Sequence, residues 1–126
     1  MENVILTPHI GGSTEGAQYN IGIEVAEAMN GYFDEGTSTG CVYLPEAQLP
    51  ASRNSVRIVN IHKDRPGVLR RINSFIASRS INIQAQTYHT RDGIGYLIMD
   101  AEVGLHRDVG EHIEAMDSNI RTRLLF

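Results

Sequence analysis

The sequence has 126 residues, of which 41% are hydrophobic, with 11 basic side chains, 15 acidic side chains and one cysteine. The length allows one domain or slightly less than two. A net charge of −4 and the absence of any run of three Lys or Arg residues argue against a surface that follows nucleic-acid phosphates or an anionic membrane. One cysteine forms no intrachain disulfide and supplies too few thiolates for a structural zinc site.

The charges are unevenly distributed along the chain. The first fifty residues hold seven acidic residues and no Lys or Arg, whereas the rest holds eight acidic and all eleven basic residues. This division predicts two pieces of different origin. No apolar stretch approaches the roughly 18 residues that would cross a bilayer, and the N-terminus lacks the pattern of a signal peptide, so we expect a cytoplasmic protein.

The first part of the chain predicts a strand followed by a helix. Residues 3–6 form a short apolar run that ends at Pro8, where a strand would stop. Apolar residues at three- and four-residue spacing then predict an amphipathic helix that starts near Glu15 and ends near Gly36. A short strand is predicted for residues 40–45. Because one strand and one helix enclose no core, we expect residues 1–48 to be an incomplete domain.

After a linker predicted for residues 49–55, residues 56–126 predict a complete domain. The pattern gives strands at 56–62, 81–88, 94–102 and 120–126, with Asp92-Gly93 as a tight hairpin turn. A first helix has Pro66 in its first turn and an apolar stripe from Val68 to Ile76, and a second helix runs from about 106 to 117. The order βαββαβ is that of the α+β ferredoxin-like sandwich, with two helices on one face of a four-stranded antiparallel sheet. A core of this size contributes little stability, and we therefore predict a homodimer that covers a sheet edge.

The turn between the first strand and the first helix of this domain is a candidate ligand site. A helix N-terminus offers free backbone N–H groups and a partial positive charge, Gly67 allows close backbone approach, and His62 and Asp64 flank the turn. This arrangement suits an amino acid, with its carboxylate on the N–H groups and its ammonium on Asp64. The alternative is that Asp64 only caps the helix and His62 only ends a strand.

A second alternative is RNA binding, because the RNA-recognition module has the same element order and a Gly-aromatic motif on its third strand. Residues 93–99 imitate that motif. However, Ile94 and Met99 stand at two of the aromatic positions and Asp92, Asp100 and Glu102 flank them, so we expect no nucleic-acid partner.

The residues of the turn carry a family resemblance. His62-x-Asp64-x-Pro66-Gly67-Val68-Leu69, followed by Ile81-Asn82-Ile83 and Gly95-Tyr96, resembles the ACT domain, a regulatory amino-acid-binding module, and in particular that of bacterial D-3-phosphoglycerate dehydrogenases. The stretch from Asn3 to Thr14, with Thr7-Pro8-His9, is similar to the segment that carries the catalytic histidine of those enzymes. Residues 40–49 also resemble their connection to the regulatory domain. The resemblance thus covers nearly the whole chain.

For residues 1–48 the resemblance implies the end of a 2-hydroxyacid dehydrogenase catalytic part. It makes His9 the general acid/base of an NAD-dependent parent enzyme of L-serine biosynthesis. The glutamate and arginine that assist this histidine in the family, and any Gly-x-Gly-x-x-Gly turn, are not in this sequence. We therefore predict that this chain binds no cofactor and is inactive by itself. The hypothesis that this chain is a self-sufficient enzyme is the least favoured.

For residues 56–126 the resemblance implies an effector site, occupied by L-serine in the family, at an interface where two ACT domains join edge to edge. The effector-binding residues predicted for this chain are His62, Asp64, Gly67, Val68 and Asn82. One departure is Asp64, where the family's bacterial enzymes have asparagine. A carboxylate accepts from an ammonium but repels the ligand carboxylate, so two alternatives stay open: a weaker or different amino-acid effector, and an oligomerisation module that has lost its ligand.

The remaining marked residues carry no site by themselves. His106 and His112 are six apart and do not share a helical face, so with His89 they form no metal site. Cys41 has no evident base nearby to activate it. Tyr88 and Tyr96 are predicted to be packing or interface residues of the sheet rather than ligand contacts.

Overall fold

The computed structural model describes residues 3–102, 104 and 107–126. A 3-10 turn (Gly11–Ser13) precedes helix α1 (Glu15–Asn30), and a domain of four strands and two helices follows. In chain order these are β1 (Ser55–Lys63), α2 (Val68–Ser78), β2 (Ile83–Arg91), β3 (Ile94–Glu102), α3 (Arg107–Glu114) and β4 (Asn119–Leu125). The sheet order is β2-β3-β1-β4 and all pairings are antiparallel. The predicted ferredoxin-like fold is confirmed; His106, predicted to begin the second helix, lies outside the described residues.

Both helices pack on one face of the sheet, as their apolar stripes predict. Alternate residues of β1 and β3 point to this face because successive side chains of a strand point to opposite sides. The buried residues of this helix-facing core are Val56, Ile58, Leu97, Met99 and Ala101 from the sheet, Val68, Ile72 and Ile76 from α2, and Val109, Ile113 and Met116 from the second helix and its end.

The opposite face of the sheet is covered by the chain that connects α1 to β1. This connection, defined here as residues 31–50, packs Tyr32, Leu44, Ala47 and Leu49 against a second cluster of Val59, Ile61, Tyr96 and Ile98. The sheet therefore has an apolar layer on each face. This explains why β1 and β3 are buried on both sides instead of alternating between buried and exposed.

Hydrogen bonds hold the connection to the sheet. The Tyr96 hydroxyl donates to the Gly36 carbonyl at 2.8 Å, and Arg123 Nη2 donates to the Tyr32 carbonyl at 2.6 Å. Arg57 donates to the carbonyls of Glu35, Leu49 and Pro50 at 2.8–3.0 Å. The carbonyls of Leu49 and Pro50 belong to the residues predicted as a linker, so the start of that segment is bound to the sheet.

Two predicted strands are not formed. Residues 3–6 are exposed and pair with no other part of the described chain. A strand needs a neighbouring strand to bond its N–H and C=O groups, so this run forms none. Residues 40–45 contain the end of a turn at Gly40 and a bend at 42–44 instead. The Ser38 hydroxyl lies 2.6 Å from the Pro45 carbonyl and accepts from the Ala47 N–H at 2.8 Å, which folds this stretch back on itself.

Helix α1 forms as predicted, and Thr14 caps it by accepting a hydrogen bond from the Ala17 N–H at 3.1 Å. A π-helical turn, Gly31–Glu35, extends it to Gly36, which has a left-handed conformation with φ of 73°. No residue of α1 is buried. Its apolar residues are therefore exposed, including Ile21, Ile23, Val25 and Met29.

Candidate functional site

The predicted site lies where β1 ends and α2 begins, and His62 is its buried member. His62 is the last residue but one of β1, opposite Gly95 of β3, and its side chain is on the helix-facing side of the sheet. Only 1% of the residue is exposed. The sequence places it there because Val56, Ile58, Asn60 and His62 alternate along one side of the strand.

Tyr88 of β2 joins His62 to Asp64. The Tyr88 hydroxyl is 3.1 Å from His62 Nε2 and 3.1 Å from Asp64 Oδ1, and the two rings are stacked with centroids 5.5 Å apart and planes 9° apart. The stacking is possible because the residue between them on β3 is Gly95. A Cβ on Gly95 would lie 2.5 Å from His62 Nε2 and 2.6 Å from the Tyr88 oxygen.

The other ring nitrogen of His62 belongs to a polar cluster on the helix-facing side of the sheet. His62 Nδ1 is 2.7 Å from Asn60 Oδ1, and Asn60 Nδ2 donates to Asn119 Oδ1 and Thr122 Oγ1 at 2.8 and 2.9 Å. Asn60 is 1% exposed, so these partners satisfy a buried amide. The chain of contacts runs from β4 through β1 and β2 to the exposed Asp64.

Backbone contacts fix the turn that carries Asp64. The Lys63 N–H donates to the Ser118 carbonyl and the Asp64 N–H to the Gly93 carbonyl, both at 2.8 Å. Gly67 precedes α2 in a left-handed conformation with φ of 89°, and no side chain caps this helix. The interpretation of Asp64 as a helix cap is therefore wrong, because its carboxylate faces Tyr88 instead.

Gly67 and Val68 differ in exposure. Gly67 is exposed, and a Cβ placed there would meet no atom within 4 Å, which leaves room beside the start of α2. Val68 is buried in the helix-facing core, so only its backbone could contact a ligand.

Asn82 is not brought to the site within one chain. Its carbonyl accepts from the Glu102 N–H at 3.0 Å, at the far end of β3 from Gly95. Gly95 and Glu102 are seven positions apart on β3, which corresponds to roughly 23 Å along the strand. The predicted set therefore divides into the β1–α2 turn and a residue at the opposite end of the sheet.

His9 lies in the exposed segment before α1 and has no hydrogen bond to the β1–α2 turn in the described chain. Within the same residues, no group of three or more His, Cys, Asp or Glu side chains could hold a metal ion. None of the helices described is long and apolar enough to cross a membrane.

Burial determines the protonation of the site. It lowers the pKa of His62 below its ordinary value of 6.5, an effect that the nearby Asp64 carboxylate only partly offsets. Burial, the hydrogen bond to Asp64 and the Asp64 charge raise the pKa of Tyr88 to about 12. At neutral pH the imidazole is therefore neutral and the phenol keeps its proton.

Sequence reasoning missed Tyr88 and Asn60 as members of the site. Asn60 stands in a helix-facing position of β1 between Ile58 and His62. A polar residue at a core position indicates a buried hydrogen-bonded partner, and this signal could have identified Asn60 from the sequence. Tyr88 gave no such signal, because its approach to His62 depends on the register of β2 against β3.

Comparisons with known proteins agree with the fold. The family model for the AHAS small subunit-like ACT domain matches residues 58–120. A crystal structure of the ACT domain from GTP pyrophosphokinase of Chlorobium tepidum covers 56% of this chain and 96% of its own, with 17% identity and a TM-score of 0.50, which supports the fold alone.

Relatives that match the whole chain are longer enzymes. D-3-phosphoglycerate dehydrogenase from Dictyostelium discoideum is 44% identical over 98% of this chain, and the same enzyme from Escherichia coli K12 is 43% identical over 99%. The chain spans 30% and 31% of the lengths of these two proteins. The resemblance to D-3-phosphoglycerate dehydrogenases, predicted from the Asn3–Thr14 segment and the motif that starts at His62, is confirmed.

Proposed function

The chain belongs to the family of AHAS small subunit-like ACT domains, and we propose that it is the regulatory C-terminal part of a D-3-phosphoglycerate dehydrogenase that binds an amino-acid effector. The effector proposed is L-serine, the end product of the pathway that such an enzyme begins. The effector-binding residues are His62, Asp64, Gly67 and the backbone of Val68 from one chain, with Asn82 from a second copy.

The observation that carries this proposal is the pairing of a buried imidazole with an exposed carboxylate at the start of a helix. The exposed Gly67 leaves the first turn of α2 open, where backbone N–H groups favour a ligand carboxylate. Asp64 is exposed two residues after His62 and offers an acceptor for a ligand ammonium. A free amino acid carries an ammonium and a carboxylate on the same carbon, which matches an acceptor placed beside a helix N-terminus.

The position of Asn82 supports a homodimer. If two copies pair antiparallel through β2 about a two-fold axis, the start of one β2 lies beside the end of the other. Asn82 of one chain then approaches Tyr88 and the β1–α2 turn of its partner. The axis would pass near Ala85, midway between Asn82 and Tyr88.

The two edges of the sheet differ in a way that favours β2 as the joining edge. Natural edge strands avoid unwanted pairing by carrying charged residues. The other edge strand, β4, carries Arg121 and Arg123 within its length, whereas β2 has no charged residue before Arg91 at its end. The edge of β2 is therefore the less protected against pairing.

The proposal for the parent enzyme rests on similarity and on His9. His9 would be the general acid/base of NAD-dependent oxidation of 3-phosphoglycerate in the complete protein. The sequence includes no Gly-x-Gly-x-x-Gly turn that would bind the phosphates of NAD. We expect the purified chain to show no NAD-dependent turnover.

Thermal unfolding with and without amino acids tests effector binding. A ligand that binds only the folded state at a hundredfold excess over its Kd raises stability by about 2.7 kcal/mol. We expect L-serine to raise the unfolding midpoint of the chain. Asp64→Ala should remove the shift, and the control Asp34→Ala, in the connection, should leave it unchanged.

The second candidate is an oligomerisation module without a ligand, and Asp64 is the observation that favours it. If neither L-serine nor glycine nor any other amino acid shifts the unfolding midpoint while the chain is still a dimer, this second function replaces the first.

A further inference from the structure

The hydrogen-bonding roles around His62 can be assigned from a backbone group. Asn60 Nδ2 lies 3.3 Å from the Arg121 carbonyl oxygen, which can only accept. The amide nitrogen of Asn60 therefore faces β4, and its Oδ1 faces His62 Nδ1 at 2.7 Å. Because Oδ1 accepts, Nδ1 carries the proton of the neutral ring. Nε2 of the neutral ring is then an acceptor.

This assignment leaves the Tyr88 hydroxyl with one proton and two acceptors. His62 Nε2 and Asp64 Oδ1 both lie 3.1 Å from the phenol oxygen. Since His62 is neutral at neutral pH, it cannot supply a second proton. When Tyr88 donates to His62, its oxygen faces the Asp64 carboxylate without a hydrogen between them, and Asp64 requires a donor from elsewhere.

We propose that Tyr88 is a positioning residue of the effector site: its hydroxyl donates to Asp64 Oδ1 in the free chain and turns to His62 Nε2 when a ligand ammonium takes that acceptor. This inference rests on the proposed function. It adds Tyr88 to the site and requires the ligand to carry a positive charge. The ligand class is a small molecule with a free ammonium group. The ammonium supplies to Asp64 the hydrogen bond that the phenol gives up when it donates to His62.

The same arrangement makes ligand binding compete with a proton. An imidazolium at position 62 donates from Nε2 to the Tyr88 oxygen, and Tyr88 then donates to Asp64. In that state Asp64 Oδ1 is occupied and a positive charge lies near the ammonium site. Binding of an ammonium ligand therefore weakens as the pH falls through the pKa of His62.

Of the other charged groups near the turn, Arg65 and Arg71 are paired with Asp117, whereas Lys63 forms no ion pair among the described residues. Asp117, after α3, lies 3.6 Å from Arg65 and 3.3 Å from Arg71. On β3 the residue facing His62 is Gly95, and on β4 the groups that reach it through Asn60 are the neutral Asn119 and Thr122. Asp64 is the charged group whose field acts on His62.

The first experiment reads the His62 tautomer by nitrogen-15 NMR of the full chain at about pH 7.5. We expect the signal of a ring protonated at Nδ1 and unprotonated at Nε2. The signal is assigned by its loss in His62→Gln. A ring protonated at Nε2 would overturn the inference whatever ligand the chain binds.

The second experiment measures binding of L-serine and glycine by calorimetry at about pH 8 and pH 6, with L-lactate as a probe that lacks the ammonium. We expect the wild type to bind the two amino acids more weakly at the lower pH and L-lactate weakly at both. Tyr88→Phe should weaken binding about three- to tenfold at the higher pH, the effect of one lost hydrogen bond. It should also reduce the difference between the two pH values.

The matched control is Tyr43→Phe, which removes a hydroxyl from an exposed tyrosine of the connection. We expect it to bind like the wild type at both pH values. Binding by Tyr88→Phe with wild-type affinity and an unchanged pH profile would refute the role of Tyr88 while leaving the effector function standing. Failure of the wild type to bind either amino acid would overturn both proposals.

Discussion

Arg57 of β1 and Asp100 of β3 form a doubly hydrogen-bonded ion pair beneath the connection, with Nε–Oδ1 and Nη2–Oδ2 distances of 2.7 Å. Their side chains are 8% and 1% exposed. The hydrogen bond to Asp100 raises the pKa of Arg57, against the opposing effect of burial. The remaining guanidinium hydrogens bind carbonyls of the connection, so one pair links two strands and the chain that covers them.

We expect Arg57→Met to destabilise the protein by about 3–5 kcal/mol, because it leaves Asp100 as a buried charge without its partner. Urea denaturation measures this loss, and limited proteolysis should show faster cleavage near residue 50. The control is Arg71→Met, which breaks an exposed pair and should cost less than about 1 kcal/mol. Equal losses in both variants would contradict the role of Arg57.

Gly36 should not tolerate a side chain. Its φ is 73°, and a Cβ there would overlap Val59 Cγ2 in the second core. We expect Gly36→Ala to lower the free energy of unfolding by more than Gly40→Ala. Gly40 has a similar φ of 76° but open space around it, so its variant reports backbone strain alone, about 1–2 kcal/mol. Similar losses of stability in the two variants would mean that Gly36 does not pack closely against Val59.

Gly95→Ala should separate the His62 and Tyr88 rings, because the new methyl group would lie within 2.6 Å of both side chains. We expect loss of amino-acid binding, measured by calorimetry, with the fold retained in circular dichroism. Gly22→Ala, in an open position on α1, is the control and should bind normally. Normal binding by Gly95→Ala would show that the stacked rings are not needed.

Acid should destabilise the protein through His62. Because its folded-state pKa lies below 6.5, the unfolded chain binds more protons as the pH is lowered through 6.5. The free energy of unfolding therefore decreases with falling pH over this range and levels off below the folded-state pKa. Melting curves between about pH 7.5 and pH 5.5 should show a smaller decrease in His62→Gln. The exposed His89→Gln should behave like the wild type.

The proposed dimer predicts a specific crosslink. In a Cys41→Ser background, which removes the single cysteine, Ala85→Cys should form a disulfide-linked dimer on mild oxidation. Residues on a two-fold axis between antiparallel strands have Cα atoms about 4.5–5.5 Å apart, within the range of a disulfide. Arg121→Cys, on the other edge strand, should not crosslink. The reverse result would place the interface on β4.

The order of strands and helices in residues 56–126 followed from the sequence, because each element is encoded by local periodicity and by turn residues such as Asp92-Gly93. The place of His62 at the end of β1 followed for the same reason. The predicted strand at residues 3–6 was not formed, since strand formation depends on a neighbour that local sequence does not describe.

The sequence by itself determined the fold of the domain, the location of the β1–α2 turn, and the family resemblance. Only the tertiary structure decided that Tyr88 stands between His62 and Asp64, that Asn82 lies at the other end of the sheet, and that the connection covers the second face. The physical reason is that these relationships depend on the register between strands and on packing across the sheet. Both join residues distant in sequence, and periodicity along one segment contains no information about either.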